Sequence, residues 1–456
     1  MSLEQTPITR KVDGAISMEV AVYIVSMALF VLSMPTVYRK RYSLLSVCYM
    51  SFCVFVLMPS LPVYLQCHAN ESMHMYFVSV MIFQASLLAA LLRSPLGSTP
   101  PSSFHDRCMD RVTTVQPVVA VAIVLVALSY LVIGAVAYGG TLPLVDFMRT
   151  GSFPVLFRMT FWRSILPNIP LSSVLRFVAK AGTLHLGLRL VHTGRKRSGI
   201  TVMMVALLTS TMEGTKAGFY LWALPIAAYV LLSPKSSRWA LLLLGLVTVS
   251  GTLWTALLEA RFEWRVALID KLLSRAFAGP AYVSQTHFLL ANQLRQGDAY
   301  LMGISRLKEA ALPLGALDWD NYVMRYATFQ RAGYVPTYGG MNAPAFVYGW
   351  VDYGVLGVLV VSVLSACLLQ AIDNHIHKGL LSKVFAVSAI PHVIMLATSI
   401  RFSNAMLGVE GLVGLLILDG CIGYRRTLTS TPGMWLLMLA GVANYVLGTL
   451  LARVTL

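Results

Sequence analysis

Seven basic residues lie in or beside apolar stretches of the sequence, where a charged side chain is costly and usually functional. They are Arg176, Lys180, Lys216, Arg261, Arg265, Arg275 and Arg401. Arg176 with Lys180, and Arg261 with Arg265, are four residues apart, a spacing that places two side chains on one face of a helix. Arg offers a planar fork for two phosphate oxygens, and Lys offers a point charge. The set therefore favours binding of an anionic ligand, such as one that carries a phosphate.

Five carboxylates and one histidine are candidates for a general base, a group that accepts a proton from a reacting hydroxyl. The spacing selects none of them, and an ion pair with a neighbouring Arg is the competing interpretation for each. If a base is needed, the sequence favours Glu213 or Glu263. The full set of candidates is Glu213, Glu259, Glu263, His287, Asp318 and Asp320.

The composition indicates the setting in which these residues act. Of 456 residues, 57% are hydrophobic and only 12% are charged, and the mean hydropathy is +0.71. Soluble domains carry about 25% charged residues. A soluble enzyme, a nucleic-acid-binding module and a disordered scaffold are therefore excluded. Apolar runs of nearly membrane-spanning length recur along the whole chain, which predicts an all-α polytopic membrane protein. The cysteines show no metal-ligand spacing, and no metal site is expected.

About twelve transmembrane helices are predicted. Short loops rich in Lys and Arg mark the cytoplasmic side, and Arg39-Lys40-Arg41, Arg195-Lys196-Arg197 and Arg425-Arg426 all fall on one side under strict alternation. Both termini then face outward. The predicted spans are 18–37, 44–65, 73–92, 117–138, 171–191, 199–212, 216–232, 239–258, 343–371, 384–400, 406–424 and 432–452.

Three regions follow from these spans. Residues 1–258 form about eight spans, and the hairpin at 199–232 is too short for two full crossings, which places the turn Glu213–Lys216 within the membrane or beneath an outer cavity. Residues 259–342 form a long, Arg-rich, helical outside loop with nine cations, of which only Lys271 and Lys308 are lysines. Residues 343–456 form about four more spans.

Several segments together resemble the bacterial oligosaccharide repeat-unit polymerases, the Wzy-type O-antigen polymerases. GGTLPLVDF at 139–147 is similar to the family's loop entry, and LLTSTMEGTKAGFYLWALPIAAYVLL at 207–232 to its hairpin, with Lys216 where an Arg is usual. GGMNAPAFVYGWVDYGVLGVLVVSVL at 339–364 resembles the segment that re-enters the membrane, with Tyr353-Gly354 and Gly357 in its Tyr/Phe-Gly-x-x-Gly pattern.

The resemblance implies an integral-membrane glycosyltransferase of GT-C-like architecture in the bacterial inner membrane, with its active site facing the periplasm. It would transfer a growing glycan from undecaprenyl pyrophosphate to the non-reducing end of an incoming lipid-linked repeat unit. The seven cations would bind the donor and acceptor pyrophosphates, without a metal or other cofactor. Expected partners are undecaprenyl-pyrophosphate-linked oligosaccharides, membrane lipids, a chain-length regulator and a flippase; no nucleic acid is expected.

Three alternatives stay open. An O-antigen ligase shares the donor but passes the glycan to lipid A-core. A lipid-linked oligosaccharide flippase or transporter predicts two halves related by a repeat, and none is evident in the sequence. A membrane-bound acyltransferase needs a buried His within a span, for which His185 and His392 are available.

Overall fold

The computed structural model describes residues 18–40, 43–68, 73–94, 115–138, 140–142, 145, 172–212, 216–231, 279–294, 312–316, 318–335, 340–378, 381–408 and 410–423. Within these ranges the chain is helical and contains no strand. Twelve α-helices are present there: α1 Met18–Arg39, α2 Leu44–Cys67, α3 His74–Arg93, α4 Pro117–Ala137, α5 172–192, α6 Lys196–Thr211, α7 Lys216–Leu231, α8 Gly279–Leu294, α9 Trp319–Ala332, α10 Ala345–His377, α11 Lys383–Thr398 and α12 Leu412–Gly423.

Six segments are long and apolar enough to cross a membrane, namely α1, α2, α3, α4, α10 and Ser403–Ile422, which includes all of α12 except its last residue. The chain is thus a multi-pass helical membrane protein. The hairpin helices α6 and α7 have 16 residues each, as does α11. At about 1.5 Å per residue, each rises only about 24 Å. The predicted spans 239–258 and 432–452 lie outside the described residues.

Helices α1 and α4 lie at the periphery of the bundle. Their apolar side chains face outward; Leu32 of α1 is 76% exposed and Val118 of α4 is 80% exposed. Helices α2 and α3, by contrast, are buried along much of their length, with Phe52 and Phe83 packed edge to face at 4.9 Å between ring centroids. The apolar outer surfaces are what a lipid-facing helix requires.

Helix α1 ends beside the end of α3 and the start of α2, so these three helices define two distinct ends of the bundle. We call the end with Lys40, Ser94 and Ser382 the basic end, and the end with Cys67 and His74 the loop end.

At the basic end, charged side chains bind the termini of neighbouring helices. The carboxylate of Asp373 accepts hydrogen bonds from the backbone N–H of Leu44 and Leu45 at the start of α2, at 2.8 and 3.0 Å. The Lys40 ammonium donates to the Ser94 carbonyl at 2.5 Å, beyond the end of α3. Both contacts satisfy groups that a helix terminus leaves unpaired.

Helix α10 reverses direction at Gly354, whose φ of 62° is in the left-handed region that glycine tolerates. Gly349 and Gly357 face each other across this reversal, and a Cβ added to Gly349 would lie 2.6 Å from the Gly357 carbonyl oxygen. The sequence predicted one continuous span here. Instead, residues 345–353 form a short arm that is packed into the bundle, with Phe346 5.4 Å from Phe83 between ring centroids.

Helix α8 belongs to the same core. Residues 284–291 are buried throughout, Tyr282 stacks on His68 at 5.8 Å, and Phe288 stacks on Trp350 at 4.9 Å between ring centroids. The sequence assigned this helix to a loop outside the membrane body. Its apolar face packs against α2 and the arm of α10, so this part of the loop is anchored to the bundle.

Candidate functional site

Three side chains from distant parts of the chain meet on the loop-end side. Asp320 is on the first turn of α9, Tyr348 is on the arm of α10, and Arg401 follows α11. The Tyr348 hydroxyl donates a hydrogen bond to Asp320 Oδ1 at 2.7 Å. The Arg401 Nη2 lies 3.8 Å from Asp320 Oδ2, and its guanidinium carbon is 4.5 Å from the centroid of the Tyr348 ring. The carboxylate therefore has a different partner at each oxygen.

The surroundings of Asp320 adjust its proton affinity. Burial raises the pKa of this carboxyl to about 6, against opposing effects from the Arg401 charge and the Tyr348 hydrogen bond. The side chains of Asp320 and Arg401 are still 20% and 25% exposed. An accessible carboxylate that titrates near neutrality is suited to accept a proton from a substrate hydroxyl.

Two other candidate bases, Asp318 and His287, hold the start of α9. Asp318 is the N-cap of the helix and accepts from the Asn321 N–H at 2.8 Å. Trp319 donates its indole N–H to His287 Nδ1 at 2.8 Å, so the proton of His287 is on Nε2, which donates to the Met341 carbonyl at 2.8 Å. Burial lowers the pKa of His287 to about 3, which keeps the ring neutral. Among the candidate bases that the structure describes, Asp320 is thus the one with the required properties.

Arg176 and Lys180, the predicted pair in α5, lie on either side of the start of a π-helical turn, Val178–Gly182. Such turns are frequent at functional sites. The guanidinium of Arg176 contacts Glu410 through both Nε and Nη2, with the Nε bond at 2.7 Å to Oε1. Glu410 and Arg401 belong to the same connection between α11 and α12. That connection is therefore bound to α9 at one end and to α5 at the other.

For the other predicted site residues, the structure describes no side chain. Lys216 is the first residue of α7, and only its backbone is described. Five further positions lie outside the described residues: Glu213, Arg261, Glu263, Arg265 and Arg275. Of the predicted cations, Arg401 lies at the candidate base. Arg176 and Lys180 lie on α5, which binds the connection that carries Arg401 through the contact between Arg176 and Glu410.

A second charged cluster lies near the basic end, and none of its members is among the predicted site residues. Asp419 of α12 accepts from Arg189 Nη1 at 2.6 Å, from the Ser382 hydroxyl at 3.0 Å and from His185 Nε2 at 2.9 Å, all at Oδ1. His185 Nδ1 lies 3.0 Å from the Ser388 hydroxyl. The signal that could have revealed this cluster is simple: Arg189 and Asp419 are charges within apolar runs, which require partners in a membrane.

Tyr348 was also missed, and its sequence context gives no reason to separate it from the other aromatic residues near the membrane boundary. No family model, curated protein or solved structure matches the chain.

Proposed function

We propose that the chain is a membrane glycosyltransferase that polymerises lipid-linked oligosaccharides. It transfers a growing glycan from undecaprenyl pyrophosphate to the non-reducing sugar of an incoming lipid-linked repeat unit, on the outer face of the inner membrane. The observation that carries this proposal is the meeting of Asp320, Tyr348 and Arg401 on the loop-end side of a multi-pass helical body. A base and a fixed cation on one side of the bundle are what transfer to a hydroxyl requires.

In this reaction the acceptor hydroxyl oxygen attacks the anomeric carbon of the donor glycan. A new carbon–oxygen bond forms while the bond from that carbon to the pyrophosphate oxygen breaks. The hydroxyl proton passes to Asp320, and the bonding electron pair leaves with undecaprenyl pyrophosphate. The leaving group gains negative charge, which fixed guanidinium and ammonium groups stabilise. Arg401 and Arg176 are suited to this role because Arg presents a fork to phosphate oxygens.

The arrangement also favours a polymerase over a flippase. A flippase needs cations along a path between the two faces of the membrane. In the described residues, the cations are divided between two ends, and Arg189 near the basic end is only 2% exposed and bound to Asp419. A substrate phosphate reaching that end would meet a guanidinium that is already paired and closed off from solvent.

Deletion of the gene tests the proposal directly in the cell. We expect lipopolysaccharide capped with a single repeat unit, seen as one band above the core on a gel. Complete absence of O-antigen would point to the ligase or the flippase instead, and unchanged banding would contradict all three functions.

Substitutions then test the pyrophosphate site. Arg261→Ala, Arg265→Ala and Lys216→Ala are compared with Arg306→Ala, a loop cation outside the predicted set. We expect the first three to shorten or abolish the ladder of polymer bands and the fourth to leave it intact. Full ladders in the first three variants would show that these cations do not bind the pyrophosphates.

A further inference from the structure

The ion pair between Arg176 and Glu410 occupies the part of the guanidinium that phosphate groups use. Nε and Nη2 form one edge of the fork, and both donate to the same carboxylate oxygen, Oε1 of Glu410. Two donors of one edge can instead bind two oxygens of a phosphate in parallel, the stronger arrangement. The carboxylate therefore uses this edge less completely than a phosphate would.

We propose that Glu410 is an internal substitute for phosphate: it holds the edge of Arg176 until the pyrophosphate of a lipid-linked substrate displaces it. This inference rests on the proposed function, because that function supplies the pyrophosphate. It assigns a role to a residue outside the predicted site, and it explains why a cation of the binding site has a carboxylate partner.

Exposure of the pair makes the exchange feasible. The side chains of Arg176 and Glu410 are 17% and 36% exposed, whereas those of Arg189 and Asp419 are 2% and 5% exposed. A solvent-accessible ion pair contributes at most about 1 kcal/mol, so a dianionic ligand with better geometry can replace it. The buried pair cannot be reached in this way.

The backbone next to Glu410 packs closely against the preceding turn. Gly411 packs against the π-helical turn Ser403–Leu407, and a Cβ there would lie 2.5 Å from the Asn404 carbonyl oxygen. The N–H of Gly411 also donates to the Gly408 carbonyl at 2.8 Å. Since the same connection carries Arg401 to Asp320, displacement of Glu410 at one end releases a restraint on the segment that positions Arg401 at the other.

Binding of inorganic pyrophosphate to the full chain tests the inference without requiring turnover. The protein is placed in phosphatidylcholine nanodiscs, which exclude anionic headgroups as competitors, and affinity is measured by calorimetry. We expect Glu410→Gln to bind pyrophosphate about fivefold more tightly than the unaltered protein, the change that follows from losing a competing pair of about 1 kcal/mol. The double variant Glu410→Gln with Arg176→Gln should lose this gain.

Glu19→Gln is the matched control, because Glu19 is a carboxylate in the first turn of α1, also on the loop-end side. It removes the same charge without touching Arg176, and its affinity should equal that of the unaltered protein. Equal or weaker binding by Glu410→Gln, or an equal gain in Glu19→Gln, would overturn the inference.

Thermal unfolding with and without pyrophosphate controls for a variant whose only defect is lower stability. A ligand raises the unfolding temperature according to its affinity, so pyrophosphate should raise that of Glu410→Gln by more than that of the unaltered protein. An equal or smaller rise would also overturn the inference. If Glu410→Gln binds pyrophosphate more tightly but the unaltered protein forms no polymer, the polymerase function is refuted and the pyrophosphate site remains. If polymer forms but Glu410→Gln shows no gain in affinity, only the role of Glu410 is refuted.

Discussion

Asp320 and Asp419 are both carboxylates paired with an arginine, yet their surroundings differ in a way that separates chemistry from structure. Asp419 receives three donors at Oδ1 within 3.0 Å, from Arg189, His185 and Ser382, and the cluster is closed to solvent. Asp320 has Arg401 at 3.8 Å, one hydrogen bond from Tyr348 and a 20% exposed side chain. The first carboxylate is saturated and inaccessible, whereas the second retains capacity for a substrate. An ion pair alone therefore does not mark a site; the two carboxylates differ in how many donors they accept from the described residues and in their exposure to solvent.

The comparison also shows how a membrane protein uses ionisable residues inside its helices. Asp419 connects α5, α11 and α12, and Asp373 connects α10 to the start of α2. A single charge left in hydrocarbon is costly, but a charge with several partners fixes the positions of helices that have no hydrophobic reason to associate.

The largest effect is expected from Asp419→Asn. The substitution leaves the buried Arg189 guanidinium without its counter-charge, which costs about 3–5 kcal/mol when a buried pair is broken. The purified protein should unfold at a markedly lower temperature and give less folded material on size-exclusion chromatography. Asp320→Asn is the control and should unfold at or above the temperature of the unaltered protein. Equal unfolding temperatures for the two variants would show that the two carboxylates contribute alike to stability.

Asp320→Asn should act on turnover instead. Loss of a general base lowers a rate by about 10²- to 10⁴-fold, and polymer synthesis from a lipid-linked repeat unit should fall accordingly in kcat. Asp318→Asn is the matched control two residues away. Because Asn is as good an N-cap as Asp, this variant should retain both activity and stability. Near-normal turnover in Asp320→Asn would exclude Asp320 as the base.

The pH dependence of turnover also tests whether Asp320 is the general base. Only the ionised form of Asp320 accepts a proton, so the rate should rise with pH to a plateau above its pKa of about 6. Arg401→Gln removes a charge that lowers this pKa, so the midpoint should move to higher pH. A midpoint unchanged by Arg401→Gln would show that another group is being titrated.

The effect of Asp320 on stability runs in the opposite direction. Its folded-state pKa is raised above the ordinary value of 3.8, so the folded protein binds this proton more tightly than the unfolded chain. The resulting stabilisation is complete below about pH 4 and is lost as the pH rises through about 6. Relative to Asp320→Asn, the unaltered protein should therefore lose stability as its activity appears, measured by thermal unfolding across that range.

The smallest effect is expected from Ser388→Ala near the basic end. It removes the hydroxyl that lies 3.0 Å from His185 Nδ1, and a single hydrogen bond contributes about 1 kcal/mol. Unfolding should shift slightly and turnover should not change. A loss of turnover with normal stability would instead assign chemistry to the cluster around Asp419.

Composition and hydropathy were sufficient to predict a helical membrane protein, because lipid imposes helices on any long apolar run. The spacing of Arg176 and Lys180, and the place of Arg401 after an apolar run, likewise marked residues that the structure brings to the loop-end side. The site itself could not be predicted. Asp320 was one of six candidate bases, and its proximity to Arg401 depends on contacts between residues 81 positions apart.

Two further features depended on packing that the sequence does not display. The reversal of α10 at Gly354 is a backbone event within an apolar run, and it brings Tyr348 to Asp320. The burial of α8 depends on the space left between α2 and that arm. The number of charged residues in the loop 259–342 does not show that the apolar residues of α8 pack against the other helices.

Glycan transfer by the purified chain is the decisive measurement of whether it is a polymerase with Asp320 as its base. The protein in liposomes is given a synthetic undecaprenyl-pyrophosphate-linked repeat unit, and the products are separated by length, for the unaltered protein and for Asp320→Asn at pH 7.5. We expect glycans of two and more repeats with release of undecaprenyl pyrophosphate from the unaltered protein, and none from an Asp320→Asn protein that folds normally. No elongated product from the unaltered protein, or equal elongation by the variant, would contradict it.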